Sequence, residues 1–159
     1  MVVKYILSFL IGFFSCALLL TIFMIGSETE IPTITGFVVA SVSAPSDTIN
    51  ERDIIILDDM VILKIPNSTL SSYASTGSMN PLFDEGANGI RIVPEFESDI
   101  DVGDIVSYRS NGKLIVHRVI EKGFDEEGLY FIVKGDNNSL SDGKIRFDEI
   151  EYLTVGVIW

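Results

Sequence analysis

The chain has 159 residues, about the length of one domain, and sets 23 Asp and Glu against 11 Lys and Arg for a net charge of −12. That balance leaves no basic patch to neutralise phosphates and excludes nucleic acid as a partner. One cysteine, Cys16, and one histidine, His117, likewise exclude an internal disulfide and the cysteine or multi-histidine cages of structural metal sites.

Residues 5–26 form a run of 22 without a charged side chain, enough as a helix to cover a hydrocarbon core of about 30 Å. The run is too long for the apolar core of a cleaved secretory signal, and the nearest small-residue pair suited to cleavage, Val42 and Ala44, lies far behind it. Residues 1–27 therefore read as a retained transmembrane anchor. Lys4 precedes the run while Glu28 and Glu30 follow it, which sets the N-terminus in the cytoplasm and the rest of the chain on the outer face. Cys16, in mid-span, reads as a small apolar residue. Residues 28–52, rich in Ser, Thr and Pro, read as a spacer; its apolar patch at 37–40 either stays with the spacer or dips back into the membrane interface.

From residue 53 the texture changes to short apolar runs separated by turn residues. The runs at 53–57, 60–65, 89–93, 104–108, 113–120, 129–134 and 153–158 are rich in β-branched side chains and predict strands. Asn111-Gly112, the acidic turn ending at Gly128, and Asp142-Gly143 punctuate them. No segment after residue 30 sustains a helical period. The expectation for 53–159 is a mainly β domain, coiled into a sheet or barrel-like body around one core.

Three stretches place reactive side chains beside these strands. In the first, Thr76-Gly77-Ser78-Met79-Asn80-Pro81, the glycine permits a tight turn and the proline stops any helix, so Ser78 is either held on an edge or is an ordinary turn residue. The second is residues 113–120, where strand alternation puts His117 on the face of Ile115 and Val119 and turns Arg118 the other way. His117 is there either as a structural histidine or as a base. The third, residues 134–143, carries Asp136 and Asp142 in a Gly- and Asn-rich loop, where carboxylates cap turns, bind a cation or orient a base. As a calcium loop it fails: counted from Asp136, Leu140 falls where an oxygen ligand belongs and Phe147 where the bidentate glutamate should stand. Taken together the stretches supply a hydroxyl, an imidazole to take its proton and a carboxylate to fix the imidazole.

The order of these stretches, and the residues around them, resemble a family. Ser78-Met79-Asn80-Pro81, then Val102-Gly103-Asp104-Ile105-Val106 running on to Ile115-Val116-His117-Arg118-Val119, then Lys134-Gly135-Asp136-Asn137-Asn138 with Asp142, look like the successive boxes of type I signal peptidases. The likeness covers roughly residues 76–158 and is closer to the archaeal and endoplasmic-reticulum branch, in which histidine stands where bacterial enzymes carry the catalytic lysine. The resemblance implies a membrane-anchored serine endopeptidase on the outer face that removes signal peptides from exported preproteins after small residues. It implies Ser78 as nucleophile, His117 as general base, Asp142 as the carboxylate on His117, and Asp136 as an acid supporting the same network. The amide of Ser78 and the hydroxyl of Thr76 would bind the oxyanion. No metal or organic cofactor is implied; the implied partners are preproteins, membrane lipid and the secretion machinery.

Two features depart from that pattern. Between Gly26 and Ser78 stand 51 residues, more than the family's usual spacing, and residues 53–65 read as an added hairpin. The approach to the nucleophile, Tyr73-Ala74-Ser75-Thr76-Gly77, lacks the apolar strand that usually leads into the serine. The alternative to a peptidase is a membrane-tethered β-domain that keeps the fold as a binding or assembly module without catalysis. Asn67-Ser68-Thr69 and Asn137-Asn138-Ser139 match the glycosylation acceptor pattern, and a glycan on Asn137 would crowd Asp136, so that site is expected to be unused.

Overall fold

A computed structural model describes residues 42–159. The expected anchor at 1–27 and the first part of the spacer lie outside the described residues, among which no helix is long and apolar enough to cross a membrane. The described chain is mainly β, with nine strands: β1 (Ile54–Ile56), β2 (Val61–Leu63), β3 (Thr69–Ser72), β4 (Asn88–Ile92), β5 (Ile105–Ser110), β6 (Lys113–Asp125), β7 (Gly128–Lys134), β8 (Gly143–Ile145) and β9 (Ile150–Ile158). Seven of them form one antiparallel sheet in the order β3-β4-β9-β5-β6-β7-β8, with β3 and β8 at its ends. The β5–β6 connection is the tight turn its sequence predicts. Asn111 and Gly112 adopt φ of 50° and 75°, the left-handed pair that a two-residue hairpin requires.

The remaining two strands pair only with each other. The apolar runs at 53–57 and 60–65 do form the expected hairpin, but Ile54, Ile56, Val61, Ile62 and Leu63 are all exposed rather than packed into the core. Short apolar runs between turn residues identified the strands and said nothing about what covers them.

Two apolar clusters hold the large sheet. The larger gathers Val106 and Tyr108 of β5, Val119 of β6, Phe131 and Val133 of β7, and Leu153 of β9, with Ile115 packed against it. The smaller gathers Ile105, Met79, Phe83 and Ala87, with Val116 packed against it. Met79 and Phe83 belong to the segment that carries Ser78. Burying side chains of that size is worth about 1.5–3 kcal/mol each, so the smaller cluster pins the serine segment to the sheet.

Residues 43–46 are strapped onto the same sheet by buried polar groups. The carboxylate of Asp104 accepts from the amides of Ser46 (2.6 Å) and Asp101 (2.8 Å), while Arg118 donates to the carbonyls of Gly103 (2.7 Å) and Ser43 (3.4 Å). Gly103 makes this approach possible: its φ is +111°, and a Cβ there would lie 2.1 Å from the Ala44 carbonyl oxygen. Gly103→Ala is therefore expected to lift the strap, cost of order 1–3 kcal/mol, and open residues 42–46 to protease. Limited proteolysis beside a urea titration checks this, and a variant as resistant and as stable as wild type would contradict it.

At the β6–β7 hairpin Asp125 accepts from Lys144 (2.8 Å) and from Arg146 (2.8 and 3.0 Å). Lys144 first and Arg146 second hold the Asp125 carboxyl down at about 2. A carboxyl depressed in the folded state adds stability above its ordinary value, and this is lost as pH falls toward 2. The stability difference between wild type and Asp125→Asn should accordingly be present at pH 5 and shrink steeply between about pH 4 and pH 2, as followed by thermal melts; a difference as large at pH 2 as at pH 5 would rule out this origin.

Candidate active site

The turn carrying Ser78 is built by backbone bonds that its sequence only partly advertises. Gly77 takes φ +67°, and the amides of Thr76 and Gly77 both donate to Asp84 Oδ1, at 3.1 and 3.0 Å. On the far side Asn137 latches the same turn: its amide donates to the Ser78 carbonyl at 2.9 Å and its Nδ2 to the Gly77 carbonyl at 3.0 Å. Gly135 must lack a side chain for this, since a Cβ would stand 2.7 Å from the Ser78 carbonyl oxygen. Thus the Gly135-Asp136-Asn137 stretch and the serine turn, far apart in sequence, are one structural unit. Thr76 Oγ1 lies 3.1 Å from Ser78 Oγ and 3.4 Å from the Ser78 amide, so hydroxyl and amide face each other across one turn.

His117 sits on β6 opposite Val106 of β5 and is 6% exposed. Its Nδ1 bonds Oδ2 of Asp142, and that oxygen also accepts from the Tyr108 hydroxyl at 2.6 Å. A carboxylate only accepts, so Nδ1 is the donor in this bond, and the neutral imidazole that makes it is the tautomer with its lone pair on Nε2. Burial first, and the neighbouring Asp142 second, push the Tyr108 phenol well above its usual range.

Ser78, Thr76 and His117 line one cavity of about 320 Å³, whose apolar walls include Ala74, Met79, Leu114 and Val116. Tyr73 stacks on Phe83 at its edge, with ring centroids 4.1 Å apart. Asp136 lies elsewhere. Its carboxylate is engaged two-pronged by Arg118, Nε to Oδ1 at 2.8 Å and Nη2 to Oδ2 at 2.7 Å, with the two side chains only 7% and 10% exposed. Of the two aspartates singled out from the sequence, Asp142 bonds the imidazole and Asp136 braces the loop through Arg118. Among the described residues no group of three or more His, Cys, Asp or Glu side chains is placed to hold a metal.

Asp84, Asn137 and Tyr108 are the parts of this site that the sequence reading missed. Asn137 sat in a stretch already singled out, but Asp84 is one acid in a loop and Tyr108 reads as an apolar strand residue. The described chain is thus a mainly β domain in which the imidazole of His117, bonded to Asp142, and the hydroxyl of Ser78 line one cavity, with Ser78 Oγ bonded to Thr76 Oγ1 rather than to the imidazole.

The chain is similar to signal peptidase complex catalytic subunits named SEC11. The protein from Clavispora lusitaniae is 36% identical over 80 residues, 49% of this chain and 47% of that protein. The one from Candida tropicalis is 38% identical over 80 residues, with the same coverage of each. The one from Yarrowia lipolytica is 30% identical over 90 residues, 52% of this chain and 51% of that protein. The chain spans about half the length of these curated relatives. No protein-family model matches it, and no solved structure matches it.

Proposed function

We propose that this chain is a signal peptidase, a serine endopeptidase that removes N-terminal signal peptides from exported preproteins by cutting after small residues. The observation that carries the reading is the imidazole of His117, bonded to Asp142 behind it, in the cavity that Ser78 also lines, in a chain similar to catalytic subunits of signal peptidases. In the first half-reaction Ser78 Oγ attacks the scissile carbonyl and His117 Nε2 takes the serine proton. Asp142 stabilises the imidazolium, which then gives that proton to the leaving amine as the carbon–nitrogen bond breaks. In the second, His117 takes a proton from water, the resulting hydroxide opens the acyl-serine, and the proton returns to Ser78. The oxyanion is met by the Ser78 amide, which exchanges its long bond to Thr76 Oγ1 for one to the substrate, and by the Thr76 hydroxyl. Asp136 contributes by holding Asn137 against the serine turn.

Residues 1–27 anchor the enzyme with its N-terminus in the cytoplasm and its β domain on the outer face. The substrate, itself held in the membrane, lies extended along the apolar cavity, and further subunits of a peptidase complex are its natural partners, as the relatives' name suggests. The full chain in liposomes, given a preprotein of known signal sequence, should release the mature protein with one new N-terminus directly after a small residue, read by mass spectrometry. Binding of the preprotein without cleavage by the folded chain, both in liposomes and in the membranes of its own cell where its partner subunits are present, would overturn the peptidase reading in favour of a silent binding module.

A further inference from the structure

We infer that Tyr108 is a positioning residue of this site: its hydroxyl fixes the Asp142 carboxylate, and through it the His117 imidazole, in the orientation that proton transfer from Ser78 needs. The inference rests on the serine-peptidase reading above and assigns a residue that reading does not use.

Asp142 is poorly placed to orient anything by itself. It lies at the end of the loop from β7 to β8, its side chain is 29% exposed, and its amide bond to the Val133 carbonyl, 2.9 Å, fixes its main chain but not its carboxylate. A carboxylate on a loop, partly in water, turns freely unless something rigid holds it, whereas a base must be held within roughly 0.5 Å and 10–20° of its working geometry. Tyr108 supplies that rigidity. It stands on β5, between β9 and β6 in the middle of the sheet, is 1% exposed, and packs in the larger apolar cluster with Phe131 and Leu153. Its ring is locked by that packing, and its hydroxyl emerges 2.6 Å from Oδ2 of Asp142, the same oxygen that bonds His117.

Two donors on one oxygen set both the position and the rotation of the carboxylate. The phenol is also a dependable donor, because burial and Asp142 both disfavour its ionised form, so it keeps its proton across any pH at which a peptidase works. Phenylalanine would fill the same space in the cluster without the cost of burying a hydroxyl, so the hydroxyl is accounted for by its one bond, to Asp142.

The test is Tyr108→Phe in the full chain, in liposomes with a preprotein substrate, beside Asp142→Asn, the double variant and Ser78→Ala. The ring is retained, so thermal melts should stay within a few degrees of wild type. The expected result is a kcat lowered about 10–100-fold with KM within about twofold, and an acid limb of the pH–rate profile displaced from that of wild type. In the Asp142→Asn background, Tyr108→Phe should add less than about a further twofold, because a residue that acts through Asp142 has nothing left to act on. The single histidine gives a direct signature: the downfield Nδ1 proton resonance of His117 should move or broaden in Tyr108→Phe. An unchanged kcat with an unchanged His117 resonance, or a full multiplicative loss in the Asp142→Asn background, would overturn the inference. Ser78→Ala separates the two levels: if it is inactive while Tyr108→Phe equals wild type, only the role of Tyr108 falls, whereas wild-type cleavage by Ser78→Ala removes the peptidase reading and Tyr108's role with it.

Discussion

Ser78→Ala and His117→Ala should each lower preprotein cleavage by roughly 10⁴-fold or more, and the double variant should be no worse than either single one. The serine hydroxyl and the imidazole form one proton-transfer unit, so removing either leaves the other without a partner, and what remains is catalysis by binding and by the oxyanion donors alone. Ser78→Ala should leave the domain folded, whereas His117→Ala empties a buried position, so its melting curve separates lost folding from lost chemistry. The fold near Ser78 is held by buried Met79 and Phe83 and by backbone bonds to Asp84 and Asn137, none of which uses the serine side chain. Asp142→Ala should be equal or somewhat milder, since water can replace part of the carboxylate's work at a site that is 29% exposed. Cleavage assays with matched membrane insertion and matched melting curves read these values. Wild-type turnover by either Ser78→Ala or His117→Ala would remove that residue from the mechanism.

How far the sequence reached depends on the range of the forces that set each feature. The mainly β character and the strands from β4 to β7 follow from alternation and from turn residues within a few positions, and the Asn111-Gly112 hairpin is where it should be. The edge strands β3 and β8 gave no signal, because Thr-Leu-Ser-Ser and Gly-Lys-Ile have neither length nor an apolar face; they are strands only because a neighbour's backbone is there to pair with. The same limit applies at the site. Ser78, His117, Asp136 and Asp142 stood out as residue types in turns and strands, but which aspartate meets the imidazole depends on how the loop of 135–142 closes over the serine turn. That closure is written in Gly135 and Asn137 contacting Ser78, a relation between segments some sixty positions apart that no local pattern carries. Tyr108 illustrates the remaining case: its ring obeys the apolar pattern of β5, and the pattern conceals the hydroxyl.

Arg118→Ala is expected to destabilise the domain by about 3–5 kcal/mol, the usual cost of removing one partner of a buried ion pair. The guanidinium makes two bonds to Asp136 and one each to the Gly103 and Ser43 carbonyls, and with both side chains of the pair nearly closed off from solvent its loss strands a carboxylate in a poorly hydrated place. Lysine should recover only part of the stability, because a single ammonium cannot reproduce the two-pronged geometry and also reach the Gly103 carbonyl. The pair joins three pieces of the chain: the strap at 43–46, the Gly103–Asp104 turn, and Asp136 beside the Asn137 latch on Ser78. Loss of stability and loss of activity should therefore both appear, and an apolar pair tells them apart. Arg118→Met with Asp136→Leu leaves no stranded charge, so most of the melting temperature should return. Cleavage should stay low, since the loop would no longer be tied at a fixed angle to the serine turn. If the apolar pair restores both, Asp136 matters only for stability; if Arg118→Ala melts like wild type, the bond pattern around Arg118 is not what holds the strap and the loop together.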